Sequence, residues 1–287
     1  MISEDKPLGV KRNGKIDNMK CLLIILVIGG HILEHVNGAF GELLYKTVYS
    51  FHMPIFVFIT GYLAKYKPDK ILRKLIAPYV VFQVLYILFD YYVLHEAETL
   101  NIQFTKPYWL MWYLFAIIIY YMLIPLLESD ITVRRIVTIL VSIAIALLCG
   151  FNSSIGYFLS LSRICVFLPF FVLGFYASKI KFIERISETE IWKKVIIAIV
   201  AVASVVLGVK YIIEAPVHKI MLYGSMCYEK SHGNVTQRLI LMVIAVSWLF
   251  LLLVIIPKKR MSVCEFVSKN SLWFYLLHGF VILWCTH

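Results

Sequence analysis

Residues 20–36 read KCLLIILVIGGHILEHV. After the opening lysine come ten residues without a charge, and the first polar side chain beyond them is His31. A helix that is apolar on every side cannot lie on the surface of a soluble domain; it is buried in a core or spans a bilayer. The length decides between the two only if the pattern repeats. It does. Apolar runs long enough to cross the hydrocarbon layer as helices occur at about 20–36, 44–64, 75–94, 108–127, 131–149, 161–177, 194–213, 237–256 and 270–286. The chain is 61% hydrophobic, with a mean hydropathy of +0.83, well above a soluble domain's usual apolar share. These runs predict an all-α, polytopic transmembrane helix bundle of about nine spans, occupying 1–287 as a single integral-membrane domain. Residues 1–18 are expected as a cytoplasmic N-terminal segment. GGHILEHVNG offers no small-residue cleavage site, so the first span is expected to be a retained anchor.

The net charge of +11 comes from 28 Lys and Arg against 17 Asp and Glu. Its distribution says more than its size. With the N-terminus in the cytoplasm, 21 of the 28 basic residues fall inside: five before or at the start of the first span, then Lys65, Lys67, Lys70, Arg73 and Lys74. Arg134, Arg135, Lys179, Lys181, Arg185, Lys193, Lys194, Lys258, Lys259, Arg260 and Lys269 complete the set. This loop-by-loop alternation is the positive-inside pattern. The basic balance therefore reports topology, and no nucleic-acid partner is needed to explain it; the expected partner is the lipid bilayer. The six cysteines are scattered without a C-x-x-C pair, which fits small apolar fillers better than a thiolate metal or redox site. Pro54 with Gly61 and Pro169 with Gly174 are the only paired helix breakers, thin support for an inverted-repeat transporter.

Polar groups inside spans are costly and so mark candidate functional positions. Counting at about 1.5 Å per residue from the charged boundaries, His31 lies roughly 16 Å beyond Lys20, His52 roughly 20 Å above Lys65 and His278 roughly 14 Å beyond Lys269. Three histidines from three helices thus share one layer. Arg163 lies a little higher, roughly 24 Å above Lys179. Any one histidine is also explained as a strut between helices, Lys20 as a snorkelling boundary lysine, and Lys65 to Lys74 as topology signal alone. Arg163 is harder to dismiss, because its charge cannot be shed. The aromatic clusters at 109–115 and 157–162 read as interfacial belts.

Five stretches together resemble a known family. IDNMKCLLIILVIGGH (16–31) resembles the opening of the membrane acyltransferase-3 family, in particular its fucose-4-O-acetylase-like branch, with Lys20 and His31 in the family's spacing of a basic residue, ten residues and a histidine. YSFHMPIFVFITGYL (49–63) is similar to its second span and KILRKLIAPY (70–79) to its basic cytoplasmic loop. SRICVFLPFFVLGF (162–175) and NSLWFYLLHGF (270–280) resemble later spans, placing Arg163 and His278. Lysine stands at position 20 where arginine is commoner. The family normally has ten spans, so against the resemblance either a last span is missing after residue 287 or the protein is a shortened relative.

The resemblance implies an O-acyltransferase of the cell envelope: a multi-pass protein of a bacterial plasma membrane that moves an acyl group, acetyl first among them, from cytoplasmic acetyl-CoA to a hydroxyl of a carbohydrate or glycolipid acceptor outside. It makes His31 the expected general base and Lys20, Arg163, His52 and His278 its catalytic neighbours, with Lys70, Arg73 and Lys74 at the CoA phosphates. The loop 214–236, with Glu214, His218, Glu229 and His232, is the longest outer segment and the candidate for acceptor recognition. Competing readings are a small-solute transporter and a non-catalytic relative that keeps the spans.

One pattern points elsewhere. His31-x-x-Glu34-His35 has the form of inverted zinc proteases, in which two histidines four apart on a helix share a metal and the glutamate activates its water. No further acidic ligand is evident at that depth, and His31 is accounted for without the other two, so no metal is expected. Glu34 and His35 are expected to be a solvated pair at the outer end of the span, with mild effects on substitution.

Overall fold

A computed structural model describes residues 13–215 and 217–287. Among the described residues every regular element is helical. Gly14–Leu33 forms α1 and Ala39–Leu63 forms α2. Pro68–Ile71 (α3) runs through a π-helical turn at Leu72–Ile76 into α4, Ala77–Phe89, and the whole of Pro68–Leu94 is one span. Then come α5, Trp112–Leu127; α6, Thr132–Leu148; α7, Leu161–Lys179; the short α8, Phe182–Glu188; and α9, Ile191–Glu214. Two small helices, α10 (Lys219–Tyr223) and α11 (Tyr228–Ser231), precede α12, Val235–Ile255. The chain closes with α13, Ser262–Lys269, and α14, Ser271–Thr286, bent by 78° from each other. Eight of these helical segments are long and apolar enough to cross a membrane, and nine if the bent pair counts as one. The expected helix bundle is thus present.

Two expected boundaries move. Of the segment 1–18, residues 1–12 lie outside the described residues, and residues 14–18 already belong to α1. Asn13 caps the helix by accepting from the Lys15 backbone N–H at 3.0 Å, as a side-chain oxygen at this position does for an otherwise orphaned donor. The first turns are then buried in a polar clamp. Lys15 donates to the Leu253 carbonyl, Asn18 to those of Pro257 and Lys259, and Ser268 to the Asp17 carboxylate at 2.7 Å. A polar stretch reads as loop from sequence, but these partners supply its hydrogen bonds inside the fold.

The basic loop also proves helical: Lys70, Arg73 and Lys74 lie within Pro68–Leu94. Pro78 has no N–H to donate, and its ring crowds the preceding turn. The π turn at Leu72–Ile76 lies directly upstream of it and lets the helix continue past the break,.

Within the bundle, α2 and α7 pack on each other more extensively than any other pair. Their meeting point is Gly61 against Gly174. A Cβ on Gly61 would run into the Phe171 carbonyl, and one on Gly174 into that of Phe58. Small residues let helices approach to backbone contact, the usual basis of association in lipid. Around this crossing a single apolar cluster spreads through α1, α2, α5, α7, α12 and α14. It carries the end of α1, the middle of α2 and the start of α7, which hold the polar side chains.

Candidate active site

Near the end of α1 that carries His31, the helices part around a chamber of about 280 Å³. That is at the small end of ligand pockets. His31 comes from the last turn of α1, Tyr49 and His52 from α2, Arg163 from the first turn of α7, and Tyr223 from α10. The layer expected from residue counting is real. The rings of His31 and His278 lie 5.6 Å apart, and Tyr49 bridges to His52 with ring centroids 6.3 Å from His31 and 4.9 Å from His52.

The three histidines are not equivalent. His52 Nδ1 lies 2.7 Å from the Val48 carbonyl and His278 Nδ1 lies 3.0 Å from that of Phe274. A carbonyl only accepts, so each Nδ1 carries the proton, and a neutral ring then presents an Nε2 lone pair. His278 Nε2 is buried without a partner among the described residues. His31 differs: its Nδ1 faces the Tyr49 hydroxyl at 3.3 Å and a Glu34 carboxylate oxygen at 3.9 Å. The Trp109 ring leans on it at 4.6 Å between centroids.

Glu34 departs from the solvated residue expected at this position. It follows α1 directly, lines the chamber, and accepts a 2.6 Å hydrogen bond from the Tyr223 hydroxyl, which also meets the Tyr45 hydroxyl. The His31 imidazole first, and then the Tyr223 donation, hold its carboxyl below the usual carboxylate range against the opposing effect of burial. Burial and the Glu34 carboxylate push the Tyr223 hydroxyl up, so it stays a donor. The sequence holds no signal for this contact, because Tyr223 is 189 positions away.

His35, by contrast, lies beyond the end of the helix, its N–H turned to the Ile32 carbonyl. The shared helical face that the zinc pattern requires does not form. Among the described residues no three His, Cys, Asp or Glu side chains gather around a metal-sized point.

Arg163 enters the same chamber, its guanidinium 5.0 Å from the Trp112 ring and 5.7 Å from the Tyr157 ring. These aromatics, read from sequence as interfacial belt, here flank a cation. Lys20 is not brought to the chamber: it lies eleven residues down α1, roughly 16 Å away, where Nζ donates to the Ser268 carbonyl at 3.0 Å. Among the described residues of the loop 214–236, only Leu222 and Tyr223 line the chamber; His218 and His232 pair with each other at 5.5 Å.

A second cavity, about 390 Å³, opens between the far end of α2, α3 with its π turn, and α5, lined by Lys65, Lys67, Lys70 and Lys74. Arg73, expected beside Lys70, does not line it. Lys65 and Lys67, read as topology signal, do. On α5, Tyr113 lines the chamber and Tyr121 the basic cavity; the eight helical steps from one to the other span roughly 12 Å. A 2.7 Å hydrogen bond between Thr60 and Tyr113 lies between the two.

A bundle of eight or nine apolar helices around such a chamber defines a multi-pass membrane protein. A family model described as an acyltransferase domain, that of the acyltransferase-3 family, matches residues 13–287. The chain belongs to this family of membrane acyltransferases. No curated protein and no solved structure gives a significant match.

Proposed function

We propose that this protein transfers an acyl group, most simply acetyl, from cytoplasmic acyl-CoA to a hydroxyl of an extracytoplasmic carbohydrate or glycolipid, with His31 as general base. The reading keeps the N-terminus in the cytoplasm of a bacterial cell and the fucose-4-O-acetylase-like branch that residues 162–175 resemble. One observation carries it. His31 faces a carboxylate on its Nδ1 side within a largely apolar chamber that also contains a fixed cation, Arg163.

A hydroxyl is a weak nucleophile until a base takes its proton during attack. With the Nδ1 proton turned toward Glu34, the other His31 nitrogen has the lone pair to do so, and Glu34 orients the ring and stabilises the imidazolium that forms. The acceptor oxygen bonds to the thioester carbonyl carbon, whose oxygen becomes an oxyanion. The intermediate collapses by breaking the C–S bond, and the proton held by His31 passes to the departing thiolate. His52 and His278 present acceptor nitrogens, so the oxyanion role falls to Arg163, a donor that keeps its charge. His52 packs on Tyr49, and His278 packs on His31 and Tyr275, so the two act as positioning residues. Lys70 and Lys74, with Lys65 and Lys67, hold the CoA phosphates, while Lys20 anchors α1 to α13.

The test is transfer of label from acetyl-CoA to envelope glycans by membranes containing the protein. His31→Ala should abolish it while membrane insertion stays normal. A variant retaining more than a tenth of the turnover would remove His31 as the base. Solute flux without acyl transfer would support a transporter instead.

A further inference from the structure

The chamber holds more standing positive charge than the proposed reaction uses. Acyl transfer develops one negative charge, on the thioester oxygen, and only for the life of the intermediate. Arg163 suffices for that. Yet Lys106 also lines the chamber. Its Nζ lies 5.9 Å from the centroid of the same Tyr157 ring that Arg163 approaches at 5.7 Å. Among the described residues neither cation has a carboxylate within ion-pair distance. Glu34, the acid of the chamber, is engaged by His31 and Tyr223.

Two like charges on one aromatic ring repel, and the repulsion grows as the site closes to water. The Lys106 side chain is exposed at the mouth of the chamber, while its backbone is held in a built rim. The Gln83 side chain donates to the Lys106 carbonyl at 3.2 Å and to that of Gln103 at 2.8 Å, and accepts from the Tyr108 N–H at 2.9 Å. The Leu159 N–H reaches the Thr105 carbonyl at 2.6 Å, tying the Lys106 loop to the Tyr157 loop. Trp109, Leu159 and Ser160 carry positive φ angles of 28°, 50° and 50°, a backbone arrangement that persists only where the surroundings enforce it.

We propose that the acceptor is an anionic glycan: the sugar whose hydroxyl reaches His31 carries, on itself or on its neighbour, a carboxylate or phosphate that Lys106 and Arg163 neutralise. Arg163 offers planar donors suited to either group, and Trp112 and Tyr157 offer faces for the sugar ring. This rests on the acyl-transfer reading above. A neutral sugar in the same place would leave the Arg163 guanidinium facing the chamber without an anion.

Membranes containing the protein are given labelled acetyl-CoA and the total glycans of the source cells, either native or carboxyl-reduced, and the products are separated by anion exchange. Label should enter the acidic fraction. Its loss after carboxyl reduction identifies a carboxylate; retention identifies a phosphate. Lys106→Gln should lower kcat/KM for the acidic fraction by about tenfold, the order expected for one hydrogen bond to a charged group, and Lys106→Glu by more. Added salt should shrink the gap between wild type and variants. Label confined to neutral glycans, or an unchanged kcat/KM in Lys106→Glu, would overturn the anionic acceptor and leave acyl transfer standing. No labelled glycan of any kind, with the His31→Ala variant indistinguishable from wild type, would overturn the transfer reading and the anionic acceptor with it.

Discussion

Replacing Glu34 by Gln keeps the shape of the side chain and removes its charge. His31 Nδ1 and the carboxylate are 3.9 Å apart. When His31 takes the acceptor proton it becomes a cation, and the attraction of unit charges at that separation is about 1 kcal/mol in water and about 4 kcal/mol at an effective dielectric of 20. The Glu34 side chain is 31% exposed, which places the coupling between those limits, at about 2–3 kcal/mol. With tenfold in rate for each 1.36 kcal/mol or so, kcat should fall roughly 30- to 150-fold. The effect belongs in kcat, because the imidazolium exists only along the reaction path. Tyr223→Phe removes the 2.6 Å donor to Glu34 and leaves the charge, so its loss should be about tenfold or less. The assay is single-turnover transfer of labelled acetyl in proteoliposomes, with acyl-CoA affinity measured separately. Adding Glu34→Gln to His31→Ala should cost nothing further, since residues acting as a unit are not additive. A Glu34→Gln variant within twofold of wild type, or one that slows the His31→Ala background as much as it slows wild type, would refute the coupling.

Lys70→Ala with Lys74→Ala should raise KM for acyl-CoA well above the rise for the acceptor, more so at low salt; Arg73→Ala, outside the basic cavity, should do less in the same assay. Gly174→Ala should sharply lower the yield of folded protein measured by detergent melting, because the new methyl meets the Phe58 carbonyl across the helix crossing. The carboxyl of Glu34 is lowered from 4.5 in the folded chain, so its stabilising effect is whole above about pH 4.5 and is lost as pH falls through the lower folded value. Acid melting curves of wild type and Glu34→Gln should therefore converge below that point, and curves that stay apart would contradict it.

Much of the fold was legible because the bilayer imposes a length and a composition on every span. The histidine layer was legible for a related reason: helical rise converts residue counts into depth, and His31, His52 and His278 meet where the counts place them. What failed was whatever depends on the ends of helices. Nothing in EHVNG marks Leu33 as the last residue of α1, so Glu34 was misread as solvated, while His35 is exposed beyond the helix end as expected. The polar residues Lys15 to Asn18 read as an aqueous tail because their partners lie more than 230 positions away. Arg73 was grouped with Lys70 and Lys74 through the family resemblance. The π turn at Leu72–Ile76 breaks the regular helical register there, and Arg73 stays out of the basic cavity that Lys65 and Lys67 help to line.

The crossing of Gly61 and Gly174 also sets an order of events during synthesis. The two glycines are 113 positions apart, so at roughly 5–20 residues per second α2 waits about 6–23 s in the membrane before its partner exists. During that interval Ser50, His52 and Thr60 face lipid or the translocation machinery without α7 against them. Ser50 and His52 already satisfy themselves on their own helix, through the carbonyls of Thr47 and Val48, and Thr60 through that of Phe56. These three polar side chains of α2 are thus satisfied before assembly, which lets a helix bearing part of the site be inserted early and matched late.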